Sequence, residues 1–283
     1  MIKFTELIRL EPMTSHPAAD SITEKILSSS KYGNLSPSLV RRVVSEALPR
    51  GRNPAESEQA ARTLLHQITG AYQRPRPRYD EWVQQMETAS RESEESFRTL
   101  CRLLMARHSS TGERSAILTD LYGWLFENIP PIRSILDLGC GLNPISLPFM
   151  NIAPDTRYVA CDIHTDLADF LNWFFQHTGT NGMALAADIV FELPEEECDL
   201  ALLLKLLPVI EQQKRGASKE LLSRIHARYL LITFPTRTLS GRNVGMSANY
   251  EKAYHTTLQD LGTLIERREF PGELCFLIEK WKV

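Results

Sequence analysis

The stretch "SILDLGCGLNPISLPF", Ser134 to Phe149, decides how this chain is read. A short apolar run reaches Asp137 and Leu138, two glycines flank Cys140, and Asn143-Pro144 comes next. Glycines placed straight after a buried strand permit positive φ and let a ligand come close to the backbone. A second run, "RYVACDIH", ends in Asp162, where a carboxylate can take two ribose hydroxyls. The dinucleotide oxidoreductases fit this arrangement loosely. They need a third glycine and a helix facing a pyrophosphate, whereas position 144 is proline and no such glycine is present beyond it. An acid two residues before G-x-G suits a ligand with a ribose and no phosphate, which is S-adenosylmethionine. "AADI", with Asp188 and Ile189, ends the next apolar run where an adenine would lie. The plainer alternative is that Gly139 and Gly141 only make a tight turn, while Asp162 and Asp188 cap helices. Cys140 has no neighbouring base in the sequence, which argues against a nucleophile.

Composition sets the outer bounds. The 283 residues are 43% apolar and 24% charged, enough for a sizeable core in one large domain or two unequal ones. The most apolar run, "LALLLKLLPVI", is short and carries Lys205 and Pro208, so no membrane span is expected. Glu6 and Glu11 sit where a signal peptide would be apolar, and a cytoplasmic protein is the default. Five scattered cysteines form no C-x-x-C pair, which indicates neither a disulfide framework nor a metal site. Net charge is −3, but residues 25–78 hold ten Lys/Arg against three acids, a local balance of +7. A basic patch of this kind suits a phosphate-rich partner.

Up to about residue 105 the periodicity is helical. "SPSLVRRVVSEAL" offers Ser36 as an N-cap, Pro37 at the first position, and Leu39, Val40, Val43, Val44 and Ala47 at helix spacing. "ESEQAARTLLHQITGAY" and "DEWVQQMETASRESEESFRTLCRLLMARH" repeat the pattern. From residue 106 onward short branched runs alternate with helical segments, as in a doubly wound sheet. The expected organisation is therefore α/β: a helical domain over 1–105, with 1–20 as an extension, and a Rossmann-like methyltransferase domain over 106–283. The last run, "LCFLIEKW", is expected to pair antiparallel at a sheet edge.

With "HSSTGER", "DLGCGLNP", "CDIH", "LLLKLLPVIEQQ" and "FPTRTLSGRNVGMSANYE" present in order, the sequence resembles the aminoglycoside-resistance 16S ribosomal RNA (guanine-N7) methyltransferases. The resemblance implies S-adenosylmethionine as cofactor and guanine 1405 of 16S rRNA, in the assembled 30S subunit, as target. It implies a cofactor cradle in which Arg114 pairs with the methionine carboxylate and His108, Ser109 and Ser110 line the same end. Tyr72 would close over the cradle and Gly139 would admit the methionine backbone. Asp162 would take the ribose, Asp188 and Ile189 the adenine, with Leu204 and Gln213 completing the wall. Lys205, Thr236, Arg237 and Arg242 would orient the target base, with Met246 and Tyr250 packing against it. Lys25, Lys31, Arg41, Arg42 and Arg62 would meet rRNA phosphates.

Guanine N7 carries an in-plane lone pair, so no general base and no metal are expected; the demand is alignment of nucleophile, methyl and sulfur. A monomer acting without a membrane is expected. Two other functions stay compatible with the residues. One is a small-molecule methyltransferase of the same fold with the helices as a lid, and the other an RNA-binding module with a vestigial pocket.

Overall fold

The computed structural model describes residues 17–69, 77–107, 109–195, 197–236 and 258–281. Three helices come first: α1 (Pro17–Leu27), α2 (Pro37–Ala47) and α3 (Pro54–Thr69). They bury Ile22, Ile26, Val40, Val43, Val44 and Leu65 in a core of their own. The apolar positions of α2 recur at the three- and four-residue spacing that puts them on one helix face. Two further helices, α4 (Tyr79–Glu92) and α5 (Glu94–Met105), are separated at Ser93, which is extended and accepts the Ser96 N–H to cap α5.

After α6 (Ser109–Arg114) and α7 (Leu118–Glu127) the chain builds a seven-stranded sheet. Its strands are β1 (Ser134–Leu138), β2 (Arg157–Asp162), β3 (Gly182–Ala186), β4 (Cys198–Leu204), β5 (Ala227–Pro235), β6 (Gly262–Phe270) and β7 (Glu273–Lys280), with α8 (Thr165–Thr178), α9 (Leu207–Gln213) and α10 (Ala217–Arg224) among them. The order is β3-β2-β1-β4-β5-β7-β6, with β1 to β5 parallel and β7 antiparallel to both of its neighbours. The parallel strands are buried on both faces, which is why they read as unbroken apolar runs. Ile135, Tyr158, Leu202 and Leu231 face one core, and Leu136, Val159, Leu203 and Ile232 the other. Strand order reverses between β1 and β4, the place in an open α/β sheet where a ligand crevice forms beyond the strand ends.

Two expectations are corrected. The final apolar run, β7, lies inside the sheet, and the edge is β6, whose segment "LIERREF" did not read as a strand. Its Arg267, Arg268 and Glu269 are exposed, a charge pattern that suits an edge protected from pairing with another chain. The apolar cores also do not divide at residue 105. Trp82, Met86, Phe97, Cys101, Leu104 and Met105 of α4 and α5 are buried with the sheet and α8, and only α1 to α3 share a separate core. Among the described residues no helix is long and apolar enough to cross a membrane.

The shared core has a measurable consequence. Leu104→Ala should cost about 2–5 kcal/mol, the usual range for a fully buried leucine. Urea unfolding followed by circular dichroism and tryptophan fluorescence should give coincident transitions that move together. A lost helical signal with an unmoved sheet transition would contradict the shared core.

Candidate active site

The site grows from the glycine turn. Gly139 has φ +61° and Gly141 φ +50°, values that L side chains rarely adopt. A Cβ at Gly139 would also meet Leu206 Cδ1 at 2.6 Å. The turn folds toward the end of β2: Cys140 N–H donates to Cys161 O at 2.9 Å and Gly141 N–H to Asp162 Oδ2 at 3.0 Å. Asp162 Oδ1 accepts from His164 N–H at 3.2 Å and lies 3.0 Å from His164 Nδ1. The carboxylate is thus fixed by backbone donors at the rim of the crevice. The turn leads into a 3₁₀ helix, Asn143–Phe149, containing Pro144 and Pro148. No α-helix N-terminus faces the crevice from this turn, which removes the feature a pyrophosphate needs.

The amino-terminal helices roof this crevice. Leu35 and His164 form an antiparallel bridge, with Ser36 N–H donating to Ile163 O at 2.7 Å and Thr165 N–H to Asn34 O at 2.8 Å. Ser36 therefore stands at the start of α2 without a side-chain cap, its Oγ being 2.6 Å from Ser38 Oγ. The roof encloses a cavity of about 750 Å³ lined by, among others, Gly139, Asp162, Asp188, Ile189, Leu204 and Gln213.

Beneath the turn lies a buried polar network. Asp137 Oδ2 accepts from Tyr158 Oη at 2.7 Å and Asn143 Nδ2 at 3.0 Å, while its Oδ1 is buried without a hydrogen-bond partner. Burial pushes the Asp137 carboxyl up to about 6, against the pull of Asn143, Tyr158 and Arg114. Glu273 accepts from Arg114 Nε, at 3.0 Å to Oε1 and 3.2 Å to Oε2, from Arg114 Nη2 at 2.8 Å, and from Thr233 Oγ1 at 2.7 Å. Burial lowers the Arg114 guanidinium, but Glu273 more than offsets this, so it stays charged.

The profile of the family described as "Ribosomal RNA methyltransferase (FmrO)" matches residues 28–277. This chain belongs to that family. A 16S rRNA (guanine(1405)-N(7))-methyltransferase of Serratia marcescens is 34% identical, covering 92% of this chain and 98% of the relative. One of the same name from Micromonospora echinospora is 31% identical over 92% of this chain and 96% of the relative. The solved structure of 16S rRNA methyltransferase RmtF in complex with S-adenosyl-L-homocysteine superposes with TM-score 0.77 at 35% identity, covering 94% of this chain and all of the other.

Within this family fold the expected cofactor residues divide. Gly139, Asp162, Asp188, Ile189, Leu204 and Gln213 meet at the one cavity. Arg114 does not line it: at 1% exposure its guanidinium is occupied by Glu273 and Asn143, the latter 3.3 Å away. Ser109 and Ser110 open α6, and Tyr72, His108, Arg237, Arg242, Met246 and Tyr250 lie outside the described residues. Lys205 lines the cavity at φ +59°, its Nζ 2.5 Å from Glu113 and 3.7 Å from Glu273. Positive φ in a lysine is a strained setting that the surrounding ion pairs over-determine. Thr236 stands at the end of β5, its N–H donating to Gly272 O at 3.3 Å.

The expected phosphate contacts need one correction. Arg42 is buried, with Nε 2.5 Å from Asp188 Oδ2 and Nη2 3.1 Å from Gln213 Oε1, so it is not part of the exposed basic face. Position 42 lies three residues beyond Leu39 and therefore faces inward. Of the others, Lys25 and Arg62 share Glu58, Arg41 is 3.8 Å from Asp20, and Lys31 lies over the Tyr32 ring at the cavity. Sequence reasoning also left out His164, Asn143 and Glu273. Only the first had a local signal, as the residue two beyond Asp162.

Glu273→Ala should destabilise the chain by about 3–5 kcal/mol, because it leaves the Arg114 charge buried and unpaired. Thermal unfolding checks this, and a stability within about 1 kcal/mol of wild type would contradict the pairing.

Proposed function

We propose that this chain transfers the methyl group of S-adenosylmethionine to N7 of guanine 1405 in 16S rRNA, within the assembled 30S subunit. It would work as a cytoplasmic monomer whose product blocks 4,6-disubstituted deoxystreptamine aminoglycosides. The observation that carries the reading is the pairing of an S-adenosylmethionine-type cleft with membership of an rRNA methyltransferase family over most of the chain. The named relatives at 31% and 34% identity supply the nucleotide and the atom.

The residues present fit the cofactor. Gly139 lines the cavity with bare backbone where the methionine portion would lie, and the acceptor oxygens of the Asp162 carboxylate suit ribose hydroxyls. The buried Asp137 carboxylate supplies negative charge under the turn, suited to a ligand whose ammonium and sulfonium outweigh its one carboxylate. When bound, the cofactor supplies an electrophilic methyl group. The protein's part is to hold that methyl against N7 in line and to exclude water, since N7 has no proton to lose. Lys205, in the cavity wall, would steady the guanine or a flanking phosphate, and Thr236, Arg237, Arg242 and Met246 would hold the flipped nucleotide. Tyr72, His108, Ser109 and Ser110 are proposed around the methionine end. Arg114 is proposed to act there through Glu273 and Asn143, which it fixes in place. Lys25, Lys31, Arg41 and Arg62 would approach rRNA phosphates.

Two outcomes are expected. Expression in a susceptible bacterium should raise resistance to gentamicin and kanamycin together and leave apramycin sensitivity unchanged, while Asp162→Ala should abolish the effect. Apramycin resistance would point to a different nucleotide, and no resistance from folded, cofactor-binding protein would favour a small-molecule acceptor. The second outcome concerns pH. Asp137 is held neutral by burial below about 6, and a cationic ligand favours its ionised form. Affinity for S-adenosylmethionine should therefore rise between about pH 5 and 7 and level off above, by at most about tenfold per pH unit for one released proton. Calorimetric titration showing no pH dependence, or the same dependence in Asp137→Asn, would remove Asp137 from the site.

A further inference from the structure

We infer that Arg42 is a positioning residue for the adenine end of the cleft, so that the amino-terminal helical unit is part of the cofactor site and not only its roof. The inference rests on the reading that this cleft takes S-adenosylmethionine. One guanidinium joins three elements. Nε donates to Asp188 Oδ2 at 2.5 Å, beyond the end of β3, and Nη2 to Gln213 Oε1 at 3.1 Å, at the end of α9. Nη1 donates to Glu46 Oε1 at 3.0 Å on its own helix. The Phe191 ring lies 5.6 Å from the guanidinium carbon. The side chains of Arg42 and Asp188 are only 7% and 3% exposed, so the pair is held out of water. Burial disfavours the Arg42 charge, and Asp188 beside it restores it.

An isolated buried ion pair of this kind is weak evidence of added stability, because desolvation offsets much of the attraction. Its geometry is more informative. Asp188 and Gln213 line the cavity, while Arg42 stands behind them. By accepting from Arg42, the Gln213 oxygen is committed, and the amide turns its two N–H donors to other partners. Asp188 is likewise fixed: Oδ2 on Arg42, Oδ1 accepting from Val190 N–H at 3.3 Å, and its own N–H directed to Ser38 Oγ at 3.4 Å. Ser38, Leu39 and Arg42 all belong to α2, so one helix sets the orientation of this wall. The base such a wall recognises has an amino donor and ring-nitrogen acceptors, which is the edge of adenine. Without Arg42 the carboxylate loses its charged donor and the amide is free to flip, and both acceptor–donor positions loosen while the sheet ends stay where the Leu35 bridge holds them.

The test uses S-adenosyl-L-homocysteine as the calorimetric probe, with methyl transfer to purified 30S subunits measured in parallel. Arg42→Ala should raise the dissociation constant for the probe by roughly tenfold to a hundredfold, the loss expected for hydrogen bonds to charged groups. The KM for S-adenosylmethionine should rise with it, with kcat at saturation within about threefold of wild type and the KM for 30S unchanged. Arg42→Lys keeps the charge but reaches only one acceptor, and should lose affinity partially with an unchanged melting temperature; it decides the matter if the alanine variant does not fold. In a cycle with Asp188→Asn the two losses should be less than additive. Wild-type affinity in Arg42→Lys, or in a folded Arg42→Ala, overturns the inference. A raised KM for 30S with unchanged probe affinity also overturns it, restoring Arg42 as a phosphate contact. Failure of the wild type to bind the probe would instead overturn the cofactor reading on which the inference rests.

Discussion

A hydrogen bond from the Gly141 N–H to the Asp162 carboxylate, 3.0 Å long, holds the first two strand ends in the relation on which the cleft depends. It forms because Gly139 and Gly141 both adopt positive φ, which turns successive backbone N–H groups away from the sheet and toward the end of β2. The neighbouring bond from Cys140 N–H to Cys161 O continues the pairing of β1 and β2 past their last paired residues. A carboxylate already anchored by backbone donors loses little freedom when it takes a ligand's hydroxyls, so the site is organised before binding.

That turn stands on a polar layer that a fully apolar core would not need. Asn143 is its middle link, with Nδ2 donating to Asp137 and Oδ1 accepting from Arg114 and Tyr122. Arg114 passes the connection to Glu273 at the start of β7, and Glu273 to Thr233 of β5 and, at 3.7 Å, to Lys205 at the end of β4. Side chains from widely separated segments therefore share one network under the cleft. Almost every member is satisfied, which is the condition under which buried polar groups specify an arrangement. Asp137 Oδ1 is the exception, and it lies next to the glycine turn.

The parts of this molecule that were legible in the sequence are those written locally. The apolar runs of β1 to β4 end close to Gly139, Asp162, Asp188 and Lys205, and parallel pairing necessarily brings those ends to one edge. Two features were misread for physical reasons. A charged strand such as β6 shows no apolar alternation because its exposed edge needs charge, and so its period is hidden. Arg42 was counted with the basic surface by its charge, although its three-residue spacing from Leu39 put it on the inward face of α2. The Arg114–Glu273 pair was not legible at all: its partners are 159 residues apart and joined only by the order in which β7 enters the sheet.

If this cleft presents a methyl group to one guanine nitrogen of the small subunit, the product itself is the most direct test. The purified protein and labelled S-adenosylmethionine are incubated with 30S subunits from an unmethylated bacterium. Borohydride reduction and aniline scission of the 16S rRNA, which cleave at N7-methylguanine, then locate the product. Incorporation should approach one methyl per subunit, with a single new cleavage at guanine 1405. Incorporation at any other nucleotide, or none into 30S by protein that binds S-adenosylmethionine, would contradict the assignment.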